Sequence, residues 1–393
     1  MGSSQQIVMA SLAGLILMTT GCSTLPSAGP NANQVVSEAD RNGQQAPRYL
    51  VADINPRTVA ILDRNPRPSL YARFGERSGA PTTVIGVGDS VQVTIWEAAS
   101  GGLFSSAAIN GVTAGSHSAS IPEQVVGRDG SITVPYAGRI HVAGMTTAQV
   151  EKAIISGLAG KAIEPQAVVT VPHNVSNEVT VTGEVTNGAR VPISERGDRI
   201  LDIIASAGGV KAPVHDVFIS LTRGDATARV PMQALLAEPR ENIFVRRDDV
   251  ITVVQEPQTF TVFGATGRNA LVPFDAAGIT VEEAVAKSGG ILDSLADPDG
   301  VFLLRSEPVS IARDLDPTYP VPPGARAVNV VYRLNFRDAN TYFLARHMGM
   351  HNKDMIYVAA SLSNDYYKAI SLFTSAINVA AGPATTAYAV KNM

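Results

Sequence analysis

An internal repeat constrains the fold of this chain more than any other feature of its sequence. The stretch "VTVTGEV" matches "FTVFGAT", and their glycines, Gly183 and Gly264, are separated by 81 positions. The Gly-Gly pairs that begin at Gly208 and Gly289 are separated by the same 81 positions. Agreement at several ordered points predicts two tandem copies of one small domain, because a repeat of this length corresponds to a whole structural unit.

Each copy is predicted to run through the same elements in the same order. A strand and a turn come first, then a short helix that ends at Gly-Gly, since glycine accepts the left-handed conformation found after many helices. A second strand follows, and an aspartate turn at Asp249 or Asp354 leads into the last strand. Side-chain hydrogen bonds of these aspartates, and of Asp89 in "GVGDSV", are expected to shape the turns.

The two copies differ in length because the second carries an insertion. Asp249 and Asp354 are 105 positions apart, and the extra residues lie around "SEPVSIARDLDPTYPVPPGARA". Before the aspartate turn of the first copy, "IFVRR" is predicted to form a strand, and "HMGMH" of the second copy aligns with it.

A separate small domain is predicted at residues 82–173. "VIGVGDSVQVTIWE" and "GSITVPYAG" alternate apolar and polar residues with the two-residue period of a strand. "MTTAQVEKAIISGLAG" predicts a helix that begins near Thr146 or Thr147 and carries Val150, Ile154 and Leu158 on one face. "IEPQAVVTVPH" closes this α+β unit with a strand.

The N-terminus predicts export from the cytoplasm. The apolar run from Ile7 to Met18 is too short for a hydrocarbon core of about 30 Å and fits a secretory signal. It ends at Gly21-Cys22, which resembles a bacterial lipobox, so Cys22 is predicted to be lipidated. Ser23 after the cysteine favours the outer membrane. The alternative is an ordinary signal peptide with an incidental cysteine.

The segment that follows, residues 22–81, contains short apolar stretches broken by Asn-Pro pairs that disfavour helix at the preceding residue. We expect an extended, partly ordered segment that lies along the other domains.

Composition excludes some functions. Charged residues make up 17% of the chain and the net charge is −4, so no basic face is implied and nucleic acid is not an expected partner. The sequence contains no convincing catalytic constellation, and it predicts neither a cofactor nor a metal site.

The C-terminal segment is predicted to form a membrane-spanning amphipathic helix at residues 362–382, followed by a tail at 383–393. Eighteen residues of helix rise about 27 Å, close to the thickness of a bilayer core. One stripe of the helix is polar and is expected to line a water-filled pore: Asn364, Lys368, Ser371, Ser375 and Asn378. Another stripe is expected to face lipid: Tyr366, Ile370, Phe373 and Ile377.

A single helix of this kind is a poor anchor, because polar groups are costly against lipid. Several copies arranged in a ring would turn the polar stripes toward a shared lumen. The alternative is a terminal helix that docks on its own domain.

The order of these parts resembles the outer-membrane polysaccharide export family of channel-forming lipoproteins. "GVGDSVQVTIWE", "GRDGSITVPYAGRIHVAGMTTAQVEKAI" and "PQAVVTV" are similar to that family's export domain. "VTGEVTNGARVP", "ILDIIASAGG" and "NIFVRRDDVITV", with their second-copy partners, are similar to its soluble-ligand-binding β-grasp domains.

The resemblance implies an α+β chain with a lipoprotein signal peptide at 1–21, an export domain at 82–173, and β-grasp domains at 178–256 and 259–360. It further implies a ring of about eight subunits whose C-terminal helices form an α-helical barrel in the outer membrane, with most of the mass in the periplasm. The expected partners are other copies of the chain, outer-membrane lipid, the polysaccharide, and an inner-membrane polysaccharide co-polymerase, often a tyrosine autokinase.

Two other functions stay open from the sequence. The chain could be a periplasmic glycan-binding or scaffolding lipoprotein that forms no pore. A glycan-processing enzyme is less well supported, because no paired acids stand in a recognisable context.

Overall fold

The computed structural model describes residues 29–40, 49–64, 68–75, 79–98, 103 and 117–361. These residues form two compact units. One unit lies within Arg67–Glu256, and the other combines the described residues before Arg67 with those after Glu256.

The N-terminal segment contains helices as well as extended chain, which departs from the extended course predicted for residues 22–81. Asn55 has extended backbone angles, as a residue before proline prefers, and this is also the conformation of a helix N-cap. Its side chain accepts a hydrogen bond from the Thr58 N–H, so the Asn-Pro pair begins a helix instead of excluding one. The elements are α1 (Ala32–Asp40), β1 (Leu50–Asp53), α2 (Pro56–Asp63) and α3 (Leu70–Phe74).

The residues predicted as the export domain form a three-stranded antiparallel sheet in the order β3-β2-β6, with a separate hairpin and one helix. The helix begins at a capping box made by Thr146 and Gln149, and its fully buried face is Val150, Ile154 and Leu158, as the sequence predicted. The sequence had not predicted β3 or β5. The elements are β2 (Ser90–Glu97), β3 (His117–Val125), β4 (Ser131–Val134), β5 (Gly138–His141), α4 (Thr147–Leu158) and β6 (Gln166–His173).

The first copy of the repeat is a five-stranded sheet in the order β10-β9-β11-β7-β8, with β11 parallel to β7. Helix α5 ends at Gly208 and Gly209, whose φ angles of 82° and 78° confirm the predicted glycine stop. The elements are β7 (Glu178–Gly183), β8 (Ala189–Pro192), α5 (Ile200–Ser206), a 3₁₀ helix (Val214–Asp216), β9 (Val217–Arg223), β10 (Ala226–Pro231), α6 (Met232–Ala237) and β11 (Val250–Gln255).

The second copy has the same strand order with one strand added at the edge, β1-β15-β14-β16-β12-β13. The added strand is β1, which pairs in parallel with β15. The predicted insertion supplies α8 and the loop that follows it. The elements are β12 (Gln258–Gly264), β13 (Ala270–Phe274), α7 (Val281–Lys287), β14 (Ala296–Pro308), α8 (Val309–Leu315), β15 (Ala327–Leu334), α9 (Ala339–His347) and β16 (Met355–Ala360).

The strand predicted for "IFVRR" is wrong. Phe244 makes a single isolated bridge to Arg199, and the corresponding bridge of the second copy joins Gly349 to Thr280. The residues after each bridge enter the aspartate turn at once, so no ladder can propagate from it.

Helix α1 covers the face of the second-copy sheet opposite its main core. Ala32 and Val35 pack against the buried residues Phe302, Val331 and Ala359. This sheet is therefore buried on both faces.

Candidate functional site

The site residues predicted at the two ends of the chain lie outside the described residues. This applies to Cys22 and to both stripes of the C-terminal helix, and these assignments stay predictions. Within the part of the chain that the structure describes, no helix combines the length and the apolarity needed to cross a bilayer.

Three buried aspartates shape equivalent turns, as the sequence predicted. Asp89, Asp249 and Asp354 are at most 2% exposed. Each carboxylate accepts a hydrogen bond from the backbone N–H three positions earlier, at 2.8, 2.8 and 2.7 Å respectively. The residue directly before each aspartate has a positive φ of 94°, 64° or 72°. The same tight turn therefore precedes a strand in the domain predicted at residues 82–173 and in both copies of the repeat.

In the two copies, the turn aspartate also forms a bidentate pair with an arginine of the neighbouring strand. Arg223 donates from Nε and Nη2 to the two oxygens of Asp249, at 2.8 and 2.7 Å. Arg305 donates in the same way to Asp354, at 2.9 and 2.6 Å. Such parallel hydrogen bonds are among the strongest contacts that side chains make.

The pair in the second copy is sealed inside the protein. The side chains of Arg305 and Asp354 are only 3% and 2% exposed, and Arg305 Nη1 lies 3.5 Å from the carboxylate of Glu307. The Tyr332 hydroxyl donates to that carboxylate at 2.9 Å. This cluster has two buried acids and one buried cation, so it is a closed network of charges.

Burial and charge shift the titration of this cluster. Burial by itself would lower the pKa of Arg305, but the hydrogen bonds and charge of Asp354, with the charge of Glu307, raise it above the ordinary value. Burial raises the pKa of Glu307, and Arg305 and the Tyr332 hydroxyl offset only part of that effect. Burial and the charge of Glu307 raise the pKa of Tyr332.

The pair in the first copy borders an open pocket instead. The Arg223 side chain is 17% exposed, and its Nη1 donates to the Phe74 carbonyl of α3 at 3.4 Å. Helix α3 is held in place by Glu241, whose carboxylate accepts from the Ser69 hydroxyl at 2.5 Å and from the Leu70 N–H at 2.7 Å. The N-terminal segment thus supplies one wall of the pocket.

This pocket, which we call the arginine pocket, has a volume of about 630 Å³. Four guanidinium groups line it, and no carboxylate is among its described lining residues. Aromatic rings lie beside the cations. The residues that give it this character are Arg199, Arg223, Arg240, Arg246, Tyr71, Phe74 and Phe244.

Three of the arginines lie over the pocket's own aromatic rings, among them Arg223 at 5.4 Å from the centre of the Phe74 ring. The Arg199 guanidinium lies 4.3 Å from the centre of the Phe244 ring, and Arg240 lies 5.9 Å from that of Tyr71. Arg199 Nη1 also donates to the Asn242 carbonyl at 2.5 Å, which fixes its position. Hydrogen bonds as well as ring contacts therefore hold the guanidinium groups of Arg199 and Arg223 in place.

The second copy does not reproduce this chemistry. Its equivalents of Arg199, Phe244 and Arg246 are Thr280, Gly349 and His351, as the matching bridges and turn hydrogen bonds establish. Of the contacts around the pocket, the bidentate arginine–aspartate pair is common to both copies.

The sequence contained two signals for this site that its average composition hides. The arginines that end "FISLTR" and "VFLLR" occupy matching places in the two copies. Three arginines fall within the eight residues "RENIFVRR" of the first copy. A net charge of −4 does not reveal such a local concentration.

The fold defines a class: one small α+β domain followed by two copies of a second α+β domain that share one strand order. The sequence model of the polysaccharide biosynthesis/export protein family matches residues 78–172, and models of the SLBB domain match residues 179–234 and 258–358.

The chain belongs to the polysaccharide export family. It is 33% identical to the capsule polysaccharide export outer membrane protein CtrA of Neisseria meningitidis serogroup B, over 92% of each chain. It is 31% identical to the capsule polysaccharide export protein BexD of Haemophilus influenzae, over 92% of this chain and 93% of that one. It is 26% identical to the Vi polysaccharide export protein VexA/TviF of Salmonella typhi, over 92% and 96%.

These relatives confirm the family that the motifs predicted. Their names also agree with two further predictions, polysaccharide export as the function and the outer membrane as the location. The family's role is transport rather than catalysis.

Proposed function

We propose that this chain is the subunit of an oligomeric outer-membrane channel that exports a capsular or extracellular polysaccharide from the periplasm to the cell exterior. The observation that carries the proposal is the likeness to export proteins over 92% of both chain lengths, which includes the export domain and both copies.

The channel would move the polymer without altering it. A long hydrated polymer needs a wide, wet passage with weak contacts, in contrast to the enclosed site that a chemical reaction needs. The buried acids of the described residues already accept hydrogen bonds from backbone N–H groups, hydroxyl groups or arginines, which supports a structural role for them.

The exit through the membrane is assigned to residues 362–382. A ring of these helices, about eight, would place the stripe of Asn364, Lys368, Ser371, Ser375 and Asn378 on the lumen and that of Tyr366, Ile370, Phe373 and Ile377 on lipid. A lipid on Cys22 would anchor each subunit, and an inner-membrane co-polymerase would meet the periplasmic end.

A tag placed after Met393 tests the topology. Antibody should reach this tag on intact cells, because the C-terminal helix ends outside. The matched control is the same tag inserted between Gly224 and Asp225, in the exposed turn between β9 and β10, which should be reached only after the outer membrane is permeabilised. A C-terminal tag that stays hidden while export continues would favour the scaffolding lipoprotein.

Two substitutions to glutamate test which stripe of the C-terminal helix faces the pore and which faces lipid. In the reconstituted channel, Lys368→Glu should shift ion selectivity toward cations without preventing assembly. Ile370→Glu should prevent membrane insertion, because a charge facing lipid costs several kcal/mol. If Ile370→Glu inserts normally and changes selectivity while Lys368→Glu fails to insert, the assignment of the faces is reversed.

A further inference from the structure

We propose that the arginine pocket binds an acidic sugar unit of the exported polymer, one that carries a carboxylate or a phosphate. This inference rests on the proposed export function and deepens it, since it names the class of polymer that the channel favours.

The first step is the charge of the pocket. Asp249 neutralises Arg223, and the carboxylate of Glu241 is directed at the start of α3. Arg199 and Arg240 have no ion pair with any residue that the structure describes. An anion that enters the pocket therefore meets two guanidinium groups that no described carboxylate neutralises.

The second step is the shape of the donors. A guanidinium presents a planar fork of N–H groups that matches a carboxylate or a phosphate with two parallel hydrogen bonds. Arg199 is fixed by its bond to the Asn242 carbonyl and by the Phe244 ring beneath it. A preorganised donor loses less side-chain entropy on binding than a mobile one.

The third step is the apolar surface that lies beside the charge. Tyr71 is 40% exposed and lies at the pocket edge. An aromatic ring offers a flat apolar face with a polar tip, which suits the C–H face of a sugar ring and its hydroxyls. A free inorganic anion would make no use of this surface, whereas an acidic sugar uses both parts.

The fourth step is size and access. A volume of about 630 Å³ lies inside the range of about 300–1,000 Å³ typical of small-ligand sites. It is large enough for a sugar unit with its acidic group. Arg240 and Tyr71 are exposed, so the units of a long chain can enter and leave.

Binding to the purified full-length protein tests the proposal. The probes are tetragalacturonic acid, its uncharged methyl ester, glucose 6-phosphate and inorganic phosphate, each titrated by calorimetry at low and at physiological salt. Tetragalacturonic acid should bind at least tenfold more tightly than its methyl ester, and the binding should weaken as salt rises. Preferential binding of glucose 6-phosphate would also support the site and would assign phosphate as the acidic group.

The variants are Arg240→Gln and, as matched control, Arg247→Gln. Both residues are exposed and both changes remove one positive charge, but Arg247 does not line the pocket. Arg240→Gln should lower the affinity about tenfold, and Arg247→Gln should leave it unchanged within twofold. Equal hydrogen exchange in β9 and β11 of both variants would show that the fold is intact.

Three results would overturn the proposal. They are equal binding of the acid and its ester, binding of inorganic phosphate as tight as that of either sugar, and an equal loss of affinity in the two variants.

A separate experiment tests the export function on which the pocket proposal rests: the gene for the whole chain is deleted. If polymer still reaches the cell surface, the proposed function fails even where the pocket binds sugar. If export stops but no acidic probe binds, only the pocket proposal fails.

Discussion

The two copies of the repeat have the same strand order but differ in what covers their sheets. In the first copy, strands such as "VTVTG" alternate apolar and polar residues, with Val179 and Val181 buried and Thr182 exposed. In the second copy, "VFLL" and "MIYVAA" are continuously apolar, and α1 packs on the outer face. A strand alternates when one face meets water and becomes continuous when both faces are buried.

The arginine–aspartate pair also differs in its surroundings between the two copies. It is sealed by Glu307 and Tyr332 in the second copy and borders the arginine pocket in the first. A contact that both copies share can therefore lie inside the core of one domain and border the proposed binding pocket of the other.

The largest effect is expected from removing the aspartate of the sealed pair. Asp354→Ala leaves the buried Arg305 with Glu307 as the only described acid beside it, and the free energy of unfolding should fall by about 3–5 kcal/mol. Asp249→Ala should cost less, about 1–3 kcal/mol, because Arg223 can reach water through the pocket. Urea unfolding with hydrogen exchange in β16 and β11 measures both.

The control for these two variants is Asp225→Ala, in the exposed turn between β9 and β10. It should change the free energy of unfolding little. Equal losses for Asp354→Ala and Asp249→Ala would contradict the difference in sealing between the copies.

A second pair of substitutions should affect both copies alike. A Cβ at Gly183 would overlap the Val253 carbonyl, and one at Gly264 would overlap the Val358 carbonyl, with φ angles of 91° and 99°. Each glycine-to-alanine change should cost about 2–4 kcal/mol, measured by thermal or urea unfolding.

The matched control is Gly290→Ala, which also has a positive φ but no heavy atom near its Cβ position. It should cost about 1 kcal/mol, the backbone strain alone. A loss at Gly290 as large as at Gly264 would show that strain, and not the close approach of strands, explains these glycines.

A charge on the buried face of α1 should weaken the packing of this helix on the sheet of the second copy. Val35→Asp places a charge against Phe302 and Ala359, and should weaken the docking of α1 by about 2 kcal/mol. Hydrogen exchange of the α1 amides should accelerate accordingly. Asn33→Asp, at an exposed position of the same helix, is the control; if both variants accelerate exchange equally, the packed face is not what holds α1.

The smallest effect concerns pH. The pKa of Glu307 lies above its ordinary value of 4.5, so the native chain holds this proton more tightly than the unfolded chain does. That contribution to stability is fully present below pH 4.5 and is lost as the pH rises through the folded pKa. The Glu307→Gln variant has no proton to lose, so its stability relative to the parent should rise with pH across this window.

Urea unfolding of both proteins between pH 4 and 8 measures this difference. A free energy of unfolding of Glu307→Gln minus that of the parent that stays constant or falls as the pH rises would contradict a raised pKa at Glu307.

Much of the fold could be predicted from the sequence because local chemistry determines it. The glycine stops, the aspartate turns and the face of α4 each depend on residues within a few positions of one another. The short strands β5, β8 and β10 were missed, since four to six residues carry too little periodicity and their pairing is decided by the neighbouring strand.

The arginine pocket could not be predicted in the same way. Ser69 and Glu241, which together hold its wall, are 172 positions apart. Their contact depends on how the N-terminal segment packs, which no local pattern encodes. The lipidated cysteine and the pore-lining stripe remain predictions from the sequence.

Strand β1 has a consequence for the order in which the protein matures. Leu50 pairs with Val330, so β1, the first of the described strands along the chain, can complete its pairing only after β15 has been synthesised. The first copy needs nothing beyond Gln255 and can close much earlier. The sheet of the second copy can therefore be completed only when nearly the whole polypeptide has been made. A product truncated before β15 would leave β1 unpaired and exposed to degradation.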